Sequence, residues 1–278
     1  MTNVQPKTTA DKAPRILAVA NQKGGVGKTT TSVNLATALS AIGQKVLLVD
    51  LDPQGNATTG LGIRRAGLRN STYDIIFDDT NINETAQQTR VPNLYVLPSS
   101  IHLSGAEIEL VNEENREFRL RDALIEATGF DYIIIDCPPS LSLLTLNALI
   151  ASHSVVVPLQ CEFFALEGLS HLVKTIERVQ KNFNAELDIH GVVLTMFDKR
   201  NNLSQQVAED VRNHFGDKVY KSVIPRNVRL SEAPSHGLPA IIYDMTCPGA
   251  AAYISLAKEI LNREEKLTGN NQLIKRKA

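Results

Sequence analysis

The stretch Asn21 to Leu35, NQKGGVGKTTTSVNL, follows directly on the apolar run RILAVA (Arg15 to Ala20) and leads into a segment carrying Val33, Leu35, Ala36 and Leu39. A strand, a glycine-rich turn and a helix in that order constrain the chain more than any other feature. They bring backbone N–H groups and the positive end of a helix dipole onto one anionic site. The general phosphate-binding loop reads G-x-x-x-x-G-K-[ST]. Counted back from Gly27-Lys28-Thr29, its first glycine should stand at position 22, where this chain has Gln22, followed by a second lysine, Lys23. Gly24, Gly25 and Gly27 let the backbone curl around phosphates, Lys28 reaches the β- and γ-phosphates, and Thr29 holds Mg²⁺. Val26 and Thr30 complete the loop set expected to touch the nucleotide. One nucleotide leaves the extra cation of Lys23 without a task.

Further apolar, β-branched runs alternate with longer amphipathic stretches, the pattern of βαβ units and a parallel sheet. Strands are expected at Arg15 to Ala20, Lys45 to Asp50, Leu94 to Pro98, Asp131 to Asp136, Ser154 to Leu159, Gly191 to Phe197 and Val219 to Pro225. Their nearly continuous apolar character requires cover on both faces. Helices are expected at about 28–42, 116–129, 141–151, 166–184, 203–215 and 249–267. The reading is an α/β fold: a mostly parallel, doubly wound sheet flanked by helices, in one domain over 15–267. Flexible tails are expected at 1–14 and 268–278. The segment from about 55 to 92 is the least regular and should pack over one edge.

Two acidic patterns belong with the loop. DYIIID ends a buried run in Asp136, the place for a Walker B carboxylate in the Mg²⁺ shell. KVLLVDLDPQGN ends its run at Asp50 and adds Asp52. Ligands of open α/β sheets bind outside the carboxyl ends of the strands, so all three carboxylates fall on the nucleotide edge. The alternative for each is a strand-end turn former, which Asp before Pro often is.

Composition narrows the classes. With 29 Lys+Arg against 30 Asp+Glu, net charge does not announce a nucleic-acid partner, so any such surface must be a local patch. Cys137, Cys161 and Cys247 are far apart with no C-x-x-C pair, which argues against a disulfide framework or a zinc site and for a reducing cytosol. The six histidines form no metal-ligand pattern. No apolar run approaches the length of a membrane span, and MTNVQPKTTADKAP has no signal-peptide core. The chain is expected to be cytoplasmic.

KGGVGKTT, VDLDPQGNAT and IIIDCPPS, with LTMFDKRNNLSQQV and VIPRNVRLSEAPSHG, closely resemble the ParA/MinD group of deviant Walker A ATPases, and most closely its ParA chromosome-partitioning members. The resemblance runs from about Arg15 to Leu261. It implies a P-loop NTPase with ATP and Mg²⁺ as cofactors, in which two ATP-bound subunits face each other and Lys23 reaches the other subunit's phosphates. That use resembles an arginine finger supplied in trans. It further implies that Asp52 orients the attacking water, that Asp50 serves the Mg²⁺ shell, and that the adenine lies near Pro225 and Arg226.

A nucleotide switch of this kind needs something to hold. From Asp198 to Arg229 seven cations (Lys199, Arg200, Arg212, Lys218, Lys221, Arg226, Arg229) face four anions, while Lys174, Arg178 and Lys181 form a stripe at helical spacing. Each run read alone is an ordinary solvated face. In ParA-like proteins basic residues of this region bind DNA without sequence preference, mainly through phosphates; Arg200 and Arg229 are the residues selected here. The resemblance thus implies a homodimer with ATP, non-specific double-stranded DNA, a ParB-like activator of a weak ATPase, and association with the nucleoid, without stable membrane insertion. With only a short tail ahead of the ATPase, a helix-turn-helix domain and operator-type readout are not expected. Two alternatives stand beside this reading. A MinD-like membrane-surface ATPase would use an amphipathic end, for which LIKRKA, with Leu273 and Ile274, offers little apolar surface. A metal-cluster carrier similar to the nitrogenase iron protein would pair Cys137 with a second cysteine, for which Cys161 and Cys247 have no recognisable context.

Overall fold

The apolar runs assemble into one seven-stranded sheet: β1 (Arg15–Val19), β2 (Val46–Asp50), β3 (Gln87–Gln88), β4 (Leu94–Leu97), β5 (Tyr132–Asp136), β6 (Ser154–Gln160) and β7 (Asp188–Thr195). The strand order is β3-β4-β2-β5-β1-β6-β7. The computed structural model describes residues 13–78 and 80–275, with side chains to Lys266. All neighbouring strands run parallel except β3, which lies antiparallel to β4 at one edge. The irregular 55–92 segment supplies β3 and the short helices Asn56–Gly60, Thr72–Phe77 and Ile82–Thr85.

Side-chain alternation along the strands sorts the core into two layers. Ala18, Leu47, Val49, Ile133 and Ile135 pack on one face with the helices Leu143–Ala151 and Ala165–Asn182. Leu17, Val19, Val46, Leu48 and Ile134 pack on the other, under the helices Lys28–Ala41 and Pro248–Lys275. The Lys28–Ala41 helix lies between the sheet and the C-terminal helix, so its burial extends beyond the apolar stripe expected from the sequence. Thr31, Asn34, Thr37 and Ser40 are buried too. Each is satisfied: Thr31 pairs with the buried Tyr253 hydroxyl at 3.1 Å, Asn34 accepts from the Ala240 N–H, and Thr37 and Ser40 donate one turn back along the helix.

Two expectations are corrected. Val219 to Pro225 does not form a strand; it meets β7 and the chain beyond it through two isolated bridges, Val192 to Val219 and Phe197 to Pro225, and a hydrogen bond from the Ile224 N–H to the Leu194 carbonyl at 2.8 Å. Between those bridges the N–H groups of Lys221 and Ser222 donate to the Glu259 carboxylate at 2.9 and 3.0 Å, which diverts them from a β-ladder. The last helix continues to Lys275, beyond the boundary near 267 and into the stretch expected as a tail. No proline intervenes, and Gly269 weakens a helix by only about 1 kcal/mol without forbidding it. The N-terminal tail expected over 1–14 lies, up to residue 12, outside the described residues.

Candidate nucleotide-binding site

β1 sits between β5 and β6, at the point where the sheet's winding reverses, and the loop Asn21 to Gly27 leaves its carboxyl end there. Gly25 and Gly27 take φ of +76° and +87°, a left-handed conformation that favours glycine. Gly27 caps the Lys28–Ala41 helix, and its carbonyl accepts the Thr31 N–H at 2.9 Å. A methyl group built on Gly24 or Gly25 would meet nothing within 4 Å, so their openness faces away from the chain's own packing. Val26, by contrast, is buried, and its carbonyl accepts from the Thr195 hydroxyl at 2.8 Å, anchoring the loop to β7. Asn21 anchors the other side, donating through Nδ2 to the Pro158 carbonyl of β6 at 2.7 Å and accepting the Lys23 N–H at 3.0 Å.

The two lysines of the loop point to different places. Lys28 is buried and folds back into the loop, where Nζ donates to the Lys23 carbonyl at 3.0 Å. Burial pulls its ammonium below the ordinary lysine range, with the charge of Asp136 foremost among those acting against the shift. Lys23 lies on the rim instead, its Nζ 2.5 Å from Glu162 Oε2, with both side chains more than a third exposed.

Below the loop, Asp50 and Asp136 are register partners on β2 and β5, and both are fully buried. Burial pushes the Asp136 carboxyl up to about 7, helped by the charge of Asp50 and opposed by the Ser32 and Thr29 side chains. Ser32 Oγ donates to Asp136 Oδ1 at 2.7 Å, while Oδ2 has no hydrogen-bond partner among the described residues. An unsatisfied oxygen in this setting is costly to a fold and suited to a cation. Burial raises Asp50 to about 6. Its Oδ2 accepts from the Thr58 N–H and hydroxyl at 2.7 and 2.6 Å, and its Oδ1 from the Asp52 N–H at 3.3 Å. Asp52 is nearly buried in the turn that follows, where Oδ1 accepts the Gln54 N–H at 2.9 Å. Arg65 holds the same turn through the carbonyls of Pro53 and Gln54 at 2.7 and 2.6 Å.

Lys23, Lys28, Thr29, Asp50, Asp52 and Asp136 therefore share the carboxyl edge of the sheet, with Thr30 on the first turn of the loop helix. Pro225 and Arg226 reach this edge beside β7: Pro225 bridges Phe197, and the Arg226 N–H donates to the Phe197 carbonyl at 3.2 Å. Arg200 and Arg229 stand apart from the carboxylates. Arg200 lies in the turn after β7, with its side chain 91% exposed, paired through two nitrogens with Asp198. Arg229 lies in the short helix Val228–Glu232 and pairs with Glu232 at 2.9 Å and Asp244 at 3.4 Å. Cys137, Cys161 and Cys247 are buried and free, and burial pushes the Cys137 thiol up. Among the described residues no group of three or more His, Cys, Asp and Glu side chains is placed to hold a metal ion by itself.

Ser32, Thr58, Arg65 and Glu162 were not selected from the sequence. Ser32 carried a signal, since it lies one helical turn beyond Lys28, and Thr58 sits within the VDLDPQGNAT stretch. Arg65 and Glu162 carried none, because only the fold brings them to the site.

A protein-family model described as an AAA domain matches residues 14–189. The chromosome partitioning protein ParA of Caulobacter vibrioides (strain NA1000 / CB15N) is 58% identical over 253 residues, covering 90% of this chain and 95% of that protein. The sporulation initiation inhibitor protein Soj of Bacillus subtilis (strain 168) is 60% identical over 248 residues, covering 88% and 98%. A crystal structure of cobyrinic acid a,c-diamide synthase from Mycobacterium smegmatis, with bound ADP and magnesium, superposes at a TM-score of 0.79 with 39% identity, covering 91% of this chain and 96% of that one. Such identity over nearly the whole length of both partitioning proteins, on a P-loop fold with this site, means that the chain belongs to the ParA/Soj family of chromosome-partitioning ATPases.

Proposed function

We propose that this ATPase is a dimeric partitioning switch: it closes as a homodimer on ATP, holds duplex DNA without sequence preference in that state, and is driven to hydrolyse ATP by a ParB-like partner. The observation that carries this reading is the divergence of the two loop lysines. Lys28 folds into the loop, where an ammonium can serve the nucleotide of its own subunit, whereas Lys23 extends along the rim toward Glu162. An ammonium on the rim is placed for phosphates presented from outside the subunit.

ATP and Mg²⁺ fit the residues present. The open space over Gly24 and Gly25, the desolvated Lys28 and the orphaned Asp136 Oδ2 supply a phosphate cradle and a cation position side by side. Thr29 and Asp136 would hold the metal, with Asp50 in its surroundings; Mg²⁺ bound with the nucleotide neutralises phosphate charge. Asp52, fixed by Gln54 and the Arg65 clamp, would orient the attacking water, and Pro225 and Arg226 would flank the adenine. Arg200 and Arg229 would carry the DNA contacts, placing the ATP-bound protein on the nucleoid. Among the described residues no helix is long and apolar enough to cross a membrane. Leu273 and Ile274, on which the membrane-surface alternative rests, have side chains outside the described residues.

The test separates binding from hydrolysis. Lys28→Ala should abolish ATP binding, read by fluorescent-nucleotide titration. Asp52→Ala should bind ATP like the parent yet show no turnover, alone or with activator. Parent-like hydrolysis by Asp52→Ala contradicts the assignment of Asp52.

A further inference from the structure

Lys23 does not wait free on the rim. Its Nζ lies 2.5 Å from Glu162 Oε2. The other carboxylate oxygen of Glu162 accepts from Gln160 Nε2, so each oxygen has one partner and the carboxylate is held in place. The backbone on both sides is fixed as well. Asn21 ties the Lys23 N–H to the Pro158 carbonyl of β6, the strand whose end carries Gln160 and leads to Glu162. The ion pair thus spans the β1–β6 seam, with both backbones held by the same strand pair.

We infer that Glu162 is a positioning residue for Lys23: a counter-ion within the subunit that keeps the ammonium on its own rim and must release it before Lys23 can engage a second subunit. The inference rests on the reading of Lys23 as a residue that acts across a dimer. An ammonium cannot be fully paired to Glu162 and to an incoming phosphate at once, so the carboxylate competes with the nucleotide of the second subunit.

The magnitude follows from exposure. The side chains of Lys23 and Glu162 are 38% and 45% exposed. A pair this open is screened by solvent and changes an equilibrium by a small factor, about two- to five-fold. A two-fold dimer must open two such pairs, so the factors multiply to roughly ten-fold in the dimer dissociation constant. That is a threshold, strong enough to hold back premature association and weak enough for ATP to overcome.

Two measurements on Glu162→Gln test this, because the substitution keeps the shape of the side chain and removes its charge. In the nucleotide-free protein, labelling of Lys23 by an amine-reactive ester, read by mass spectrometry, should rise several-fold over the parent. In the Asp52→Ala background with Mg²⁺ and ATP, sedimentation should show dimers about ten-fold tighter for Glu162→Gln. That gain should shrink with added salt and vanish when Lys23→Ala is also present. Glu162→Ala should act in the same direction. Unchanged labelling, or dimerisation no tighter than the parent's, overturns the role of Glu162 while leaving the dimer switch intact. If neither form dimerises with ATP, the dimer reading falls and this inference with it.

Discussion

Asp136 is a poor residue for a folded core and a good one for a metal site, and the difference can be measured. Its carboxyl is buried, register-paired with Asp50, and left with one oxygen unsatisfied. Because burial raises its folded-state value to about 7, well above the ordinary aspartate value of about 3.9, the unfolded chain releases the proton at lower pH. The charge therefore costs stability as pH rises from about 4 to 7, and the full cost is present above that range. In metal- and nucleotide-free protein, Asp136→Asn is expected to be more stable than the parent by about 1–3 kcal/mol at pH 8. The gain should fade toward pH 4, where the folded carboxyl is protonated and the unfolded one begins to take up its proton. The same variant should lose Mg²⁺-dependent nucleotide affinity. Denaturant unfolding in EDTA across that range checks the sign, and a destabilised Asp136→Asn at pH 8 contradicts the account. Thr58→Val gives the converse case. It removes one of the two donors on Asp50 Oδ2 while keeping shape and should cost about 1–3 kcal/mol. Asp136 and Asp50 were legible in the sequence because strand-end carboxylates fall on a predictable edge. Their partners were less so: Ser32 is 104 residues from Asp136, and its contact exists only once β5 lies beside the loop helix.

At the scale of elements, the loop between β1 and its helix separates glycines kept for the fold from glycines kept for a ligand. Gly24→Ala places a methyl in open space at a residue without positive φ. The free protein should lose less than about 0.5 kcal/mol, as an unstrained surface change does, yet nucleotide affinity should fall at least ten-fold. Thermal melts with and without ATP distinguish this from a merely structural turn, for which both numbers would stay near the parent's. Strands were read well where apolar runs are long and both faces are covered, as in β1, β2, β5 and β6. The reading failed at Val219 to Pro225, where Glu259 of the last helix takes the N–H groups that a ladder needs. It also missed β3, whose two residues, Gln87 and Gln88, have no apolar pattern and pair only because β4 lies alongside. Both are tertiary effects overriding local preference.

For the whole molecule, the proposed DNA contacts depend on cations that are already paired within the chain. Arg200 and Arg229 are not spare cations; Asp198 and the pair Glu232 and Asp244 hold them in the free chain. DNA phosphates would have to compete with these carboxylates, so opposite substitutions should have opposite effects. Arg200→Glu should weaken binding to all duplex sequences alike and lower the slope of log affinity against log salt by about one per site, or about two per dimer. Asp198→Asn should strengthen binding by freeing Arg200. Equal effects of the two on DNA affinity would show that this turn does not face DNA.

The central claim, that ATP promotes DNA binding by way of the dimer, is tested most directly by following mass and DNA occupancy together. Asp52→Ala protein would be sedimented with a labelled duplex of arbitrary sequence in ATP, in ADP and without nucleotide, across protein concentrations. A two-fold dimer doubles the phosphate contacts on one surface. Bound DNA should therefore track the dimer fraction in ATP, be at least ten-fold weaker in ADP, and be lost with Lys23→Ala even where ATP remains bound. Monomers that bind DNA as tightly as dimers, or binding equally strong in ADP, would contradict it.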